Sequence, residues 1–147
     1  METTRTVQTR DLLRIRGSSS IKDAAQLMCD MSYGALGVDD EQYGFRGLVT
    51  ERDLLWAVAR GLPPEDTTLA EIVNDFPIVV DGPIGPEEAL GKMASSHVRH
   101  LLIREGDDLR VLSMRDLMVA HLEHAERGHT FASAAELRKM LGPVSGL

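Results

Sequence analysis

Short apolar runs alternate along this chain with segments whose apolar side chains recur at helical spacing. The runs at 12–15, 35–38 and 46–49 have the length and composition of buried strands. Residues 24–31 carry alanine, leucine and methionine at helical spacing, and a second helix is predicted over 50–61. The pattern therefore predicts the order strand, helix, strand, strand, helix for the first half of the chain.

Capping residues support these boundaries. Ser20 precedes the first helix and Asp23 follows three residues later, which is the arrangement of a capping box. Gly61, which stands before a pair of prolines, marks the end of the second helix. In the second half, Pro86 occupies the first helical position, which proline favours. Thr68 begins a short linking helix between the two halves.

The second half of the chain repeats the first. Residues 24–28 read Ala-Ala-Gln-Leu-Met and residues 89–93 read Ala-Leu-Gly-Lys-Met, so the shift is 65 positions. Residues 48–54 and 111–117 also correspond, but with a shift of 63, so the second copy has lost two residues from the intervening loop. One copy cannot cover both faces of a three-stranded sheet, whereas two copies packed sheet to sheet can.

The repeat divides the chain into three parts. These parts are repeat one at 7–62, repeat two at 63–122 with its linking helix near 68–74, and a C-terminal helical extension at 123–147. The later elements predicted for repeat two are strands at 101–104 and 109–112 and a helix from 114 to 127. In the extension, Ser133 and Glu136 form a further capping pair for a helix at 134–141.

The junction of the third strand and second helix carries a recognisable motif. Residues 47–53 read Gly-Leu-Val-Thr-Glu-Arg-Asp, and residues 110–116 hold a second version of the same stretch. The stretch resembles the signature of the CBS domain, named after cystathionine β-synthase: a glycine, two mostly apolar residues, Thr or Ser, two residues and Asp. With the order of elements, the two copies resemble a tandem CBS pair, or Bateman module, over about residues 7–122.

This resemblance implies both a fold and a class of function. The implied fold class is α/β (α+β): two β-α-β-β-α repeats packed sheet to sheet with pseudo-two-fold symmetry, plus a C-terminal helical tail. The implied ligand is an adenosine compound, commonly AMP, ADP or ATP and sometimes S-adenosylmethionine, bound in the cleft between the repeats. Such modules usually regulate an attached or associated protein partner, and stand-alone pairs often form a disc-like homodimer.

Thr50 and Asp53 are the first candidate site residues. They lie where a strand gives way to a helix, whose N-terminal N–H groups and dipole favour phosphate. The hydroxyl can donate to phosphate and the carboxylate can accept from both ribose hydroxyls, but Thr-x-x-Asp is also a capping box that needs no ligand. Spacing alone favours the capping box. The resemblance implies ribose binding by Asp53 and by its counterpart Asp116, with Ser113 in the hydroxyl role.

Repeat two has basic residues that repeat one lacks. Arg99 and His100 precede its second strand, a place where nucleotide-binding CBS pairs often contact phosphate, and arginine offers a two-pronged donor for that purpose. Repeat one has glycine and alanine at the matching positions. We therefore predict that the site at Asp116 is the better nucleotide site and that the site at Asp53 holds only a nucleoside portion or nothing. A solvated loop is the alternative role for Arg99 and His100.

Three further positions are weaker candidates. Ile78 and Val111 could line an adenine face, although strand core is the commoner role of such residues. Arg115 could reach phosphate or an acidic neighbour across a dimer, although surface charge is the commoner role. Repeat two also has Arg110 where repeat one has Gly47, and the loss of glycine there alters the shape expected of the second pocket.

Composition and charge narrow the function classes. The chain has 147 residues and a formal net charge of −7, which disfavours binding to nucleic acid or to an anionic membrane surface. No apolar run approaches the ~20 residues of a membrane span, and the polar start at 1–10 is unlike a secretory signal. A single cysteine, Cys29, excludes an internal disulfide framework, so a reducing, cytoplasmic location is expected.

The remaining reactive or aromatic residues favour structural roles. Cys29 is expected to be a buried, inert thiol, and Trp56 is expected in the core or at a dimer interface. His121, His124 and His129 could bind a metal, but nothing supplies a closed ligand set, so structural or exposed histidines are favoured. No phosphate loop, nucleophile elbow or zinc-protease motif is present. We therefore predict no metal, no cofactor and no catalysis.

Two functions remain after these exclusions. The first is a regulatory sensor that binds an adenine nucleotide and thereby biases a dimer or an unidentified protein partner. The second is a structural module for protein interaction that keeps the fold without a ligand. An enzyme would require an acid and base, or a nucleophile, placed together, and the sequence shows no such set.

Overall fold

The computed structural model describes residues 6–126, together with Gly128, Ser133, Ala135 and Arg138. Its elements in chain order are β1 (Arg10–Asp11), β2 (Arg14–Arg16), α1 (Ile21–Met31), β3 (Ala35–Asp40), β4 (Gly44–Thr50), α2 (Glu51–Ala59), a 3-10 helix (Leu69–Glu71), β5 (Val79–Asp81), α3 (Pro86–Ser96), β6 (His100–Glu105), β7 (Asp108–Ser113) and α4 (Met114–Glu126). Glu136, His129 and most of the helix predicted at 134–141 lie outside the described residues.

The elements form two runs of the same order, β2-α1-β3-β4-α2 and β5-α3-β6-β7-α4. Helices α1 and α3 each have 11 residues, and they begin at Ile21 and Pro86, 65 positions apart. Strands β3 and β6 begin at Ala35 and His100 with the same offset. The mixed α/β fold with two β-α-β-β-α repeats, predicted from the sequence, is confirmed.

The chain divides into two compact units. The first-repeat unit is Leu12–Pro77, and the second-repeat unit takes the chain from Ile78 onwards together with the segment that ends at Asp11. The segment 63–77 stays with the first repeat because it completes the start of α1: the carbonyls of Thr67 and Pro64 accept from the N–H groups of Ile21 and Lys22, both at 3.0 Å. These are helix N-terminal donors that have no partner within the helix.

The first-repeat unit contains a three-stranded sheet of order β2-β3-β4. Strand β2 is parallel to β3, and β3 is antiparallel to β4. Both predicted caps are present: Ser20 and Asp23 bond reciprocally at the start of α1, and Thr50 caps α2. The fully buried part of the core is a cluster of Ile21, Ala24, Met28, Leu36, Val38, Val49, Leu54, Ala57 and Leu69.

The second-repeat unit contains a four-stranded sheet of order β1-β7-β6-β5. Strand β5 is parallel to β6, while β6 and β1 are both antiparallel to β7. Helix α3 starts with Pro86 at its first positions, as predicted. The buried cluster of this unit is Ile84, Ala89, Leu90, Met93, Leu101, Ile103, Leu112, Met114 and Leu117.

The single strand predicted at 12–15 is replaced by two short strands that belong to different sheets. Strand β1 pairs with β7, where Arg10 lies opposite Val111, whereas β2 pairs with β3, where Arg14 lies opposite Gly37. A strand this short is defined by its hydrogen-bonded neighbour and not by its own propensity. The local pattern could not show that β1 pairs with a strand about 100 positions away while β2 pairs with one about 20 positions away.

Trp56 and Cys29 differ from their expected burial. Trp56 is 53% exposed, so it is not a core residue, because α2 buries Leu54 and Ala57 and leaves the opposite side to solvent. Cys29 is exposed because α1 buries Met28 and its neighbours one turn away, and each step along a helix rotates the side chain by about 100°. The interface role left open for Trp56 is not affected by this result.

Candidate functional site

The junction of β7 and α4 holds Ser113 and Asp116 in a reciprocal cap. The Ser113 hydroxyl donates to Asp116 Oδ2 at 2.8 Å and accepts the Asp116 N–H at 3.1 Å. The Ser113 N–H donates to the same oxygen at 3.0 Å. Both residues are partly buried, so the cap fixes the two side chains beside the first turn of α4.

The junction of β4 and α2 repeats this arrangement with Thr50 and Asp53. The Thr50 hydroxyl and N–H donate to Asp53 Oδ2 at 3.0 Å and 2.8 Å, and the Asp53 N–H donates back to the hydroxyl at 3.4 Å. The capping box that the spacing favoured is therefore present in both repeats. It accounts for these residues without excluding a ligand.

Each cap leaves one carboxylate oxygen unused. All internal hydrogen bonds to Asp116 and Asp53 fall on Oδ2. Within the described part of the chain, Oδ1 of each aspartate has no hydrogen bond, so it can accept from a ligand hydroxyl while Oδ2 keeps the cap closed. The arrangement is suited to a vicinal diol such as that of ribose.

The structure brings Arg99 and His100 to the same junction as Ser113. The Arg99 carbonyl accepts the Met114 N–H at 2.8 Å, which ties Arg99 to the first residue of α4. His100 begins β6 and lies directly opposite Ser113 in the β6–β7 register. Four sequence-predicted site residues are thus neighbours along two adjacent strands and a helix start.

The first-repeat unit has the same backbone arrangement without the charge. The Gly34 carbonyl accepts the Glu51 N–H at 3.0 Å, and Ala35 lies opposite Thr50. Gly34 and Ala35 therefore stand where Arg99 and His100 stand in the second-repeat unit. The two junctions share geometry and differ in electrostatics: the Arg99 side chain is exposed and forms no ion pair within the described residues.

The three weaker candidates lie in different environments. Ile78 is half-buried and packs against the hydrophobic cluster of the second-repeat unit, as strand core does. Val111 is only 4% exposed and pairs with Leu102 on one side and Arg10 on the other. Arg115 is exposed on the first turn of α4, next to Asp116, and has no ion pair within the described residues.

Gly47 and Arg110, which occupy matching positions, each accommodate a segment at the sheet edge. A Cβ at Gly47 would lie 2.0 Å from the carbonyl oxygen of Asn74, because Asn74 and Leu48 exchange hydrogen bonds at 3.0 Å in each direction. In the second-repeat unit the neighbour at that edge is β1, and Arg110 pairs there with Asp11. The sequence signal for Asn74 and for β1 was too weak to detect, because each makes only one or two paired positions.

Other chemistry is limited in the described residues. Within 6–126 and the isolated described positions, no group of three or more His, Cys, Asp or Glu side chains could hold a metal ion. His121 and His124 are half-buried on α4. Over the same part of the chain, no helix is both long enough and apolar enough to span a bilayer.

Comparison with known proteins identifies the class. Residues 5–60 match the family model of the CBS domain. A CBS domain-containing protein of Arabidopsis thaliana is 30% identical over 132 residues, which is 86% of this chain and 25% of that protein. An arabinose 5-phosphate isomerase of Escherichia coli is 26% identical over 111 residues, or 75% of this chain and 34% of the isomerase. The chain spans about a quarter of the Arabidopsis relative's length and about a third of the isomerase's.

Solved structures show the same fold. A CBS-domain containing protein from Agrobacterium tumefaciens has a TM-score of 0.69 at 24% identity, and the match covers 76% of this chain and 84% of that one. A CBS domain protein from Pyrobaculum aerophilum, complexed with AMP, has a TM-score of 0.66 at 22% identity, covering 91% and 94%. This chain belongs to the CBS-domain family. It contains a tandem pair of CBS repeats, the first of which the family model matches directly.

Proposed function

We propose that this chain is a non-catalytic sensor module that binds an adenine nucleotide at the β7–α4 junction. The observation that carries the proposal is the placement of Arg99 and His100 beside the Ser113–Asp116 cap. A carboxylate oxygen with no internal hydrogen bond and a hydroxyl lie at one helix start, and the backbone places two basic residues next to it. These are the groups that a ribose and a phosphate require.

Each residue has a defined role in this proposal. Asp116 accepts from the ribose hydroxyls through Oδ1. The Ser113 O–H rotates to donate to phosphate, while Ser113 Oγ still accepts the Asp116 N–H and the Ser113 N–H still donates to Asp116 Oδ2, so the cap stays closed. Arg99 and His100 contact the phosphate, with Arg115 available to a longer phosphate chain. Ile78 and Val111 flank the adenine, and because both side chains are apolar they contribute packing surface and no polar contact.

The two junctions are not equivalent in the proposal. The junction of Thr50 and Asp53 has the diol acceptor but no neighbouring cation, so it holds a nucleoside portion or stays empty. The ligands considered are AMP, ADP and ATP, and S-adenosylmethionine is a further candidate whose uncharged ribose would use Asp116 without Arg99. The AMP complex of the Pyrobaculum protein supports an adenine nucleotide in this fold.

The output of the module is a change in self-association or in contact with a protein partner. Helix α2 exposes Leu55, Trp56 and Val58, and helix α4 exposes Met118, Val119 and Leu122. Apolar side chains of this size on two helices are typical of surfaces that pack against another molecule. A ligand acts on such contacts only as far as it binds one arrangement better than the other.

A ligand-free structural module is the second candidate. The observation that favours it is the closure of both caps, because Ser113 and Asp116 already satisfy each other and need no ligand to be stable. In this alternative the cap geometry serves only to start α4, and Arg99 is an exposed surface charge.

A thermal-shift and calorimetry series with AMP, ADP, ATP and S-adenosylmethionine tests the sensor. A ligand present at about 100 times its dissociation constant adds about 2.7 kcal/mol to the free energy of unfolding. Asp116→Ala is expected to abolish that gain, whereas Asp53→Ala is expected to retain it.

Asp53→Ala is a matched control because both substitutions remove the same pair of cap hydrogen bonds. Each should cost about 1 kcal/mol of stability without ligand, so the ligand-dependent part isolates binding. No shift with any of the four compounds would favour the structural module. An equal loss in both variants would rule out the asymmetry, and turnover of a bound nucleotide would overturn the non-catalytic assignment.

A further inference from the structure

The N-terminal segment of the second-repeat unit is held by one arginine. Arg110 Nε donates to Thr9 Oγ1 at 2.6 Å, and Nη2 donates to the Thr9 carbonyl at 2.9 Å. Its Nη1 pairs with Asp11 Oδ1 at 2.5 Å, and Glu105 Oε2 lies 3.5 Å from Nε. The Arg110 side chain is only 26% exposed. Most N–H donors of this one guanidinium therefore bind a five-residue segment, 7–11, which we call the N-terminal strap.

The strap has other attachments besides Arg110, and Thr9 Oγ1 donates to Glu105 Oε1 at 3.3 Å. The strap contributes the two-residue strand β1, with Arg10 opposite Val111. At its start, the Val7 N–H donates to the Ile84 carbonyl at 3.1 Å, and the Val7 side chain packs against the hydrophobic cluster of the unit. Arg10 and Asp11 are exposed. A segment with few strand-pairing positions and little buried surface opens at a small free-energy cost. The contacts with Arg110 therefore determine what fraction of the time the strap is docked on β7.

The strap changes the status of β7 within the sheet. With β1 in place, β7 has a hydrogen-bonded neighbour on both sides, because the order is β1-β7-β6-β5. Without the strap, β7 is an edge strand, and edge strands and their ends open more readily. Strand β7 ends at Ser113, the cap of α4 and a residue of the proposed nucleotide site.

In the first-repeat unit no arginine occupies the position equivalent to Arg110. Its strand β4 is bordered at the matching edge by the isolated bridge between Leu48 and Asn74. The residue in the Arg110 position there is Gly47, which has no side chain to hold the segment. The second-repeat unit, which contains Arg110, also contains Arg99 and His100.

We propose that Arg110 is a positioning residue, which holds the N-terminal strap on β7 and thereby fixes the Ser113–Asp116 cap for ligand binding. The effect on the cap exists without a ligand, and its consequence for nucleotide affinity rests on the function proposed above. Because coupling between two equilibria is reciprocal, a ligand that needs the fixed cap also increases the fraction of molecules in which the strap is docked.

Amide hydrogen exchange on the full chain, followed by NMR, tests the ligand-independent step. Arg110→Met keeps an unbranched apolar stem in place of the aliphatic part of the arginine and removes the donors. It is expected to raise exchange about tenfold at Arg10, which lies opposite Val111, and at Ser113 and Asp116, since hydrogen bonds to a charged group each correspond to a factor of ten or more. Arg110→Lys keeps the positive charge but not the several donors of the guanidinium. Its exchange rates at these amides should lie between those of the unmodified chain and those of Arg110→Met.

Arg104→Met is the matched control. Arg104 lies on β6 of the same sheet and pairs with Asp81 at 3.2 Å, away from the strap. It should leave exchange at the strap and at the cap unchanged. Asp11→Asn offers a second probe at a largely exposed position should Arg110→Met fail to fold, and it should raise strap and cap exchange together. Fast exchange in the strap with wild-type protection at Ser113 and Asp116 would overturn the proposal.

AMP titration then separates this inference from the proposed function. Arg110→Met is expected to weaken AMP binding by about fivefold or more while Arg104→Met does not, and AMP should lower exchange at Arg10 in the unmodified chain. Wild-type AMP affinity in Arg110→Met would overturn the link between the strap and the ligand. If the unmodified chain binds none of the adenosine compounds, the proposed function fails, and the exchange data alone decide whether the strap positions the cap.

Discussion

At the scale of single residues, the two repeats differ most in charge. Arg99 and Gly34 occupy the same place, since the carbonyl of each accepts the first N–H of the following helix. In the function proposed above, this difference of one guanidinium separates a helix start that binds a ribose and a phosphate from one that binds only a ribose. In the described chain Arg99 is committed to no ion pair, so its donors are available.

Replacing Arg99 should separate phosphate recognition from nucleoside recognition. Arg99→Ala is expected to weaken AMP binding about tenfold or more, because charge-assisted hydrogen bonds to phosphate are lost. The affinity for adenosine should remain unchanged, because Asp116 keeps the ribose. Isothermal titration with the two ligands measures both values.

Arg52→Ala provides the control for that experiment. Arg52 is also an exposed arginine without an ion pair in the described residues, but it lies at the start of α2 in the first repeat. Its removal should leave both affinities as they are. Equal weakening of AMP and adenosine by Arg99→Ala would show that the residue shapes the site without contacting phosphate.

At the scale of elements, the outer edge of each sheet explains a difference that the motif left open. Gly47 is needed in β4 because the backbone of Asn74 runs against it, and Arg110 is accepted in β7 because the neighbouring strand there is β1. The glycine of the motif therefore has a packing role in this chain, independent of any ligand. Its loss from repeat two reflects a different neighbour.

Gly47→Ala should be strongly destabilising. The added Cβ would meet the Asn74 carbonyl oxygen at 2.0 Å, and a backbone atom cannot move aside as a flexible side chain can. Overpacking of this kind costs about 3 kcal/mol of unfolding free energy. Urea unfolding followed by circular dichroism provides the measurement.

Gly91→Ala is the opposite case in the same molecule. Gly91 lies within α3, and a Cβ there would have no heavy atom within 4 Å. It should raise the unfolding free energy by about 0.5–1 kcal/mol, because alanine is the better helix former.

A similar stability for Gly47→Ala and the unmodified chain would mean that the Leu48–Asn74 bridge can shift without cost.

At the scale of the whole molecule, the exposed apolar faces of α2 and α4 predict self-association. Trp56 is the largest exposed side chain on α2, and Arg60 stacks on its ring with 3.3 Å between the guanidinium carbon and the ring centroid. Tryptophan and arginine are the residue types that dominate the energetics of protein interfaces. We expect a homodimer formed through these helices.

Trp56→Glu should convert this dimer to a monomer, because it places a charge where a desolvated aromatic surface is required. Sedimentation equilibrium measures the change. Tyr43→Glu is the control, since Tyr43 is a still more exposed aromatic residue, at 80%, but lies in the turn between β3 and β4. Observation of a monomer for the unmodified chain across the micromolar range would contradict the expectation.

The amino-acid order was sufficient for the repeat, the alternation of strands and helices, and the caps at Ser20, Thr50 and Ser113. These features depend on neighbours within a few positions: helical periodicity, an apolar run, or a hydroxyl three residues before an aspartate. The tandem CBS architecture follows from them, because the same local pattern occurs twice with a nearly constant offset.

Contacts between distant positions decided the rest. The partition of residues 10–16 between two sheets and the contacts of Arg110 with Thr9 and Asp11 depend on pairings that no local pattern encodes. Thr9 and Arg110 are 101 positions apart. Local hydrogen bonding determines whether a segment becomes a helix or a strand. Which residues pack against that helix or strand depends on segments that are distant in the sequence.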